Sequence, residues 1–134
     1  MNGYTVLLYI AVGLGAAVGG MARFGASGLA ARFVGDAFPW GTLLVNVTGS
    51  ALLGFLAGLT TPESRVLIPG PTRLFLMVGV CGGFTTFSSF SLETMNLMHD
   101  GQIWRAALNV GGSLVACFIG VWCGYALAMM INQR

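Results

Sequence analysis

The groups able to do chemistry in this 134-residue chain concentrate in one segment: Gly82-Gly83-Phe84-Thr85-Thr86-Phe87-Ser88-Ser89-Phe90-Ser91. It mixes hydroxyls with phenylalanines and carries no charge. Two further polar series accompany it. Thr42, Asn46 and Ser50 recur every four residues, as do Asn109, Ser113 and Cys117, and that spacing places each series on one helix face. Asn46 is the most demanding member, because its carboxamide NH2 needs an acceptor. Phe87 and Phe90 lie three apart, and the edge of an aromatic ring is electropositive. Two ring edges beside an amide and several hydroxyls form a set of neutral donors suited to a desolvated anion. No Lys or Arg lies among them to trap the ion, and conduction requires binding weak enough to release. Taken singly, the same residues have plainer explanations. Ser50 or Asn109 serves equally as a polar tie between helices, and a phenylalanine pair as packing.

Other chemistries find little support. His99 is the only histidine and falls in the polar stretch His99-Asp100-Gly101-Gln102, the place of a solvated surface side chain. A nucleophile–base pair for an enzyme is therefore missing. Cys81, Cys117 and Cys123 sit in apolar runs, and an odd count without close pairing fits neither a disulfide framework nor a zinc site. A net charge of +2 with no basic cluster argues against nucleic acid.

The elements that must position these residues are membrane helices. Charged residues make up 7% of the chain against 56% hydrophobic, too few for the surface of a soluble domain. Residues 1–22, 37–62, 74–92 and 106–133 carry no charge, and each run exceeds or approaches the roughly 20 residues that span a bilayer. The expected helices cover about 4–22, 40–59, 74–98 and 106–131, in a single transmembrane domain over 1–134. The first is expected to end at Arg23, with a connection through Ala31–Pro39 that holds Arg32 and Asp36. The loop Thr60–Arg73 is punctuated by Pro62, Pro69, Gly70 and Pro71. No basic stretch precedes the first run, which argues against a cleaved leader.

The third span is expected to break near 82–86. Paired glycines followed by paired threonines disfavour a continuous helix, giving half-helices of about Leu74–Cys81 and Phe87–Met98. Broken backbone at membrane depth survives only inside protein or beside a water-lined cavity, and such breaks house ion sites. An intact helix with its hydroxyls bonded back to its own carbonyls is the competing geometry. Each span also holds a GxxxG: Gly15/Gly19, Gly54/Gly58, Gly79/Gly83 and Gly120/Gly124. That spacing lets helices approach closely in lipid.

Orientation is undetermined by charge. Four spans put Arg65, Arg73 and Arg134 on one side and Arg23, Arg32 and Arg105 on the other. Basic residues set topology, and three against three gives no preference. Insertion both ways, with antiparallel pairing about an axis in the membrane plane, is the expectation.

Three stretches carry a resemblance: Gly19-Gly20-Met21-Ala22-Arg23-Phe24, Trp40-Gly41-Thr42-Leu43-Leu44-Val45-Asn46, and Gly82 through Glu93. Together they resemble the CrcB/Fluc family of fluoride channels, in order and across all four spans. The resemblance implies a dual-topology antiparallel homodimer in the cell (plasma/inner) membrane, passively exporting fluoride through two pores to relieve fluoride toxicity. It further implies that Asn46 and Thr42 lie along the pore, that Phe87 and Phe90 face fluoride, and that Ser113 is a pore hydroxyl. Ser88 and Thr86 are expected beside them. Gly82 and Thr85 would offer backbone carbonyls to one structural Na+ at the dimer centre, with Arg23 near a vestibule and Glu93 near a pore mouth. The chain departs from the family pattern at Asn109, where a tyrosine is familiar, and at Cys117, where a hydroxyl is. The rival readings are a small multidrug-resistance type dual-topology transporter and an accessory subunit. The first needs a carboxylate in the first helix, where none occurs; the second leaves the hydroxyl-rich third span without a purpose.

Overall fold

The computed structural model describes residues 2–61, 64 and 66–133, all of whose regular structure is helical. Pro62, Arg65 and Arg134, used in the sequence argument, lie outside the described residues. Helix α1 is Gly3–Val34 and α2 is Trp40–Leu59. Helix α3 covers residues 70–84, in which α-helical ends flank a π-helical stretch Phe75–Cys81. Helix α4 is Phe87–His99 and α5 is Ile103–Asn132. Four segments, with α3 and α4 counted as one, are long and apolar enough to cross a membrane. This is a multi-pass membrane protein.

Two boundaries depart from the sequence expectation. Helix α1 continues through Arg23 to Val34, ending where Gly35 turns to φ 85°. A charge does not stop a helix, since arginine is a good helix former. At 32 residues the helix is about 48 Å long, well beyond the roughly 30 Å hydrocarbon core. Helix α3 begins at Gly70 with Pro71 in its first turn. A proline there costs nothing, because first-turn N–H groups have no helical acceptor. Pro71 starts α3 instead of excluding it.

The helices associate in two main pairs, α1 with α3 and α2 with α5. Glycines make both pairs possible. A Cβ on Gly15 would collide with the backbone of Phe75 and Gly79, and one on Gly19 with that of Val80 and Phe84. Gly54 lies against the backbone of Val121, and Gly124 against that of Ala51. All four sequence GxxxG pairs thus lie at helix contacts. Helix α4 is held less extensively, chiefly by α5 and only slightly by α2.

Candidate functional site

The break in the third span is two residues wide. Helix α3 ends at Phe84, and Thr85 (φ −81°, ψ 157°) and Thr86 (φ −151°, ψ 114°) are extended. The paired glycines remain helical, so the interruption is narrower than 82–86. Thr86 then starts α4 as its N-cap, its Oγ1 accepting from Ser89 N at 3.1 Å. Hydroxyl residues favour that position because they satisfy an N–H that has no helical partner.

Asn46 of α2 holds the extended residue with both ends of its carboxamide. Its Oδ1 accepts from Thr86 N at 2.7 Å, and its Nδ2 donates to Thr86 O at 3.0 Å. In a continuous helix, Thr86 N would bond Gly82 O and Ser89 N would bond Thr85 O. Both donors are committed elsewhere, which leaves the Gly82 and Thr85 carbonyls without helical partners. Arg23 Nη1 reaches Thr85 O at 3.4 Å, a long bond. Gly82 is exposed on the protomer surface with nothing near its Cα face. These are neutral oxygen ligands of the type that hard cations take. Among the described residues no cluster of His, Cys, Asp or Glu forms a competing metal site.

Beside the break lies a cavity of about 310 Å³, whose lining includes Asn46, Thr86, Phe87, Phe90, Ser113 and Cys117. The rings of Phe87 and Phe90 are 5.4 Å apart and inclined at 43°. Phe90 is buried, while Phe87 is 76% exposed and turned out of the protomer. Ser88 is exposed and pairs with the Thr86 hydroxyl at 3.2 Å; it does not line this cavity.

Thr42 and Glu93 are placed elsewhere. They line a second cavity of about 380 Å³ together with Ser27, Trp40, Asn96 and Asp100. Thr42 Oγ1 donates to Glu93 Oε1 at 2.7 Å, and Glu93 Oε2 is buried without a partner. Arg23 lines neither cavity and meets the site only through Thr85 O.

The family model described as "CrcB-like protein, Camphor Resistance (CrcB)" matches residues 10–125. The chain belongs to the CrcB-like family. A relative from Opitutus terrae is 54% identical, covering 94% of this chain and 96% of its own length. A relative from Rhodospirillum rubrum is 52% identical (95% and 98%), and one from Methylocella silvestris 50% (93% and 95%). Each is named a fluoride-specific ion channel. Within this CrcB-like chain, two participants are not singled out from the sequence. Ser89 has a visible signal, the hydroxyl residue Thr86 three positions before it, as in an N-cap. Thr94 has none, because its partner Asn109 lies on another helix.

Proposed function

We propose that this chain is a fluoride-selective channel that passively exports fluoride across the cell (plasma/inner) membrane and relieves fluoride toxicity. The observation that carries the reading is the cavity in which Asn46, Ser113 and the paired rings of Phe87 and Phe90 gather without any basic side chain. One Asn46 N–H is committed to Thr86 O, and a carboxamide NH2 has two, so a donor remains for an ion. Fluoride is a small and strongly hydrated acceptor, and it leaves water only for several close donors. The relatives' names point the same way and to a channel family rather than an enzyme.

The working unit is an antiparallel homodimer. Phe87 and Gly82 are both exposed, the Gly82 and Thr85 carbonyls have lost their helical partners, and lipid offers no donor to such groups. A second protein surface answers both needs, and the three-against-three arginine balance permits an inverted copy. The carbonyls of Gly82 and Thr85, with the matching pair from the partner, would hold a structural sodium. Such an ion supplies fixed positive charge that favours an anion nearby. Replacing sodium by a bulky organic cation should lower the melting temperature of the purified dimer; an unchanged value would remove sodium from the picture. Impermeant labelling of the Gly35–Phe38 loop from each side of the membrane should find both orientations, and a single orientation would sink the antiparallel dimer.

The deciding experiment is efflux from liposomes. Purified protein should release fluoride, and not chloride, down a gradient read with an ion-selective electrode. No fluoride release, or equal chloride release, overturns the function.

A further inference from the structure

Among the described residues Asn109 is the most deeply buried polar one, 1% exposed, yet it lines neither cavity. Its Nδ2 donates to Thr94 Oγ1 at 2.9 Å, and Thr94 Oγ1 donates in turn to Phe90 O at 2.7 Å. On its other end, Asn109 Oδ1 accepts from Ser113 Oγ at 3.4 Å. One side chain therefore joins the backbone of a cavity phenylalanine to the hydroxyl of the cavity serine.

Among the described residues, the Asn109–Thr94 bond is the only side-chain hydrogen bond between α4 and α5. Helix α4 carries both Phe87 and Phe90, and α5 is its principal neighbour within the protomer. The 13-residue half-helix is also tied to α2, through Thr42–Glu93 and through Asn46 at its N-cap Thr86, so the Asn109–Thr94 bond is its tie on the α5 side. The two bonds made by Asn109 also differ in strength. The bond to Thr94 is of ordinary length, whereas 3.4 Å is longer than the usual range for a hydroxyl donor. Ser113 is thus oriented by Asn109 Oδ1 without being held firmly, and its proton is available to a better acceptor in the cavity.

We infer that Asn109 and Thr94 form a positioning pair for conduction: together they set the Phe90 ring and the Ser113 hydroxyl, without themselves meeting the ion. The inference rests on the channel reading above and names a determinant within it. The two shorter hydrogen bonds on the Thr94 side hold the α4 backbone that carries the Phe90 ring, and the long one on the Ser113 side orients that hydroxyl only loosely.

Single-channel recording in planar bilayers tests the pair, because a purely structural defect lowers the number of active channels and leaves the unitary fluoride current unchanged. Thr94→Val and Asn109→Leu, both close in volume, should each lower the unitary current about tenfold, as expected when a barrier rises by one lost hydrogen bond. The double variant should be no worse than either single one, since the two residues act through one bond. Thr94→Ser keeps the hydroxyl and should keep most of the current. Unchanged unitary current in Thr94→Val and Asn109→Leu overturns the inference, as does full additivity in the double variant. If either variant fails to assemble, Asn109→Gln and Thr94→Ser, which retain the bonding groups at altered reach, are compared by the same current. Wild-type protein without fluoride current overturns the channel reading, and is seen before any variant is compared.

Discussion

Asn46 and Thr86 pair as two backbone amides pair in a sheet, with donor and acceptor exchanged at 3.0 and 2.7 Å. A side chain of α2 thereby completes the backbone of a residue that has left helix α3. The cost of breaking a helix inside a membrane is the loss of partners for its N–H and C=O groups. Asn46 removes that cost at Thr86 and shifts it to the carbonyls of Gly82 and Thr85.

Replacing Asn46 by Ala should therefore damage structure as well as conduction. Two hydrogen bonds disappear and Thr86 keeps a buried N–H and C=O without partners, a destabilisation of about 2–4 kcal/mol. Asn46→Asp preserves the acceptor for Thr86 N but sets a carboxyl oxygen against Thr86 O, so it should rescue little. Thermal unfolding in detergent together with fluoride efflux checks both. Wild-type melting in Asn46→Ala would show that the break stands without the carboxamide.

Phe87 and Phe90 should both matter to conduction despite their different burial. Phe90 is buried in the protomer and Phe87 is exposed. Substitution by Ile keeps apolar bulk but removes the ring edge, the electropositive feature that an anion would use. Phe87→Ile and Phe90→Ile should both strongly reduce fluoride efflux while size-exclusion chromatography finds the wild-type elution volume. Near-normal efflux in both would reduce the rings to packing.

The sequence made some of this architecture visible and concealed the rest, for physical reasons. Four spans follow from charge-free runs, because a bilayer punishes any charge within them. The break was legible since Gly and Thr pairs have local preferences that a helix opposes. Its width was not, because the exact stopping point depends on Asn46, forty residues away in the chain. Arg23 looked like the end of α1 for a similar reason: a charge marks polarity, and only the fold shows that it faces Thr85 O. Asn109 read as a tie between helices or an irregular member of a polar track. Its actual partner, Thr94, is set by how α4 packs on α5, and no spacing rule within one helix contains that information.

The glycines give a prediction about packing alone. Gly124→Ala places a methyl into the Ala51 backbone, which cannot turn aside. Overpacking of this kind costs about 1–3 kcal/mol, so melting and dimer yield should fall. Gly13→Ala meets nothing within 4 Å and should be neutral or slightly stabilising, by at most about 1 kcal/mol from helix preference. Equal behaviour of the two would mean that α2 and α5 do not approach this closely.

The Thr42–Glu93 pair offers a measurement of charge inside the second cavity. Among the described residues Thr42 Oγ1 supplies the one hydrogen bond that Glu93 Oε1 receives, at 2.7 Å, and Oε2 receives none. Thr42→Val leaves the whole carboxyl group without a donor, a loss of about 1.5–3 kcal/mol if the acceptor is charged. Glu93→Gln keeps an oxygen for Thr42 and removes the charge, so in that background the same Thr42→Val change should cost only about 1 kcal/mol. The difference between the two costs is the coupling between hydroxyl and charge, free of effects each variant has alone. Thermal unfolding of the four proteins supplies it. Equal costs in both backgrounds would show the bond to be no stronger with the acid than with the amide, and Glu93 would then act in the cavity as a neutral group.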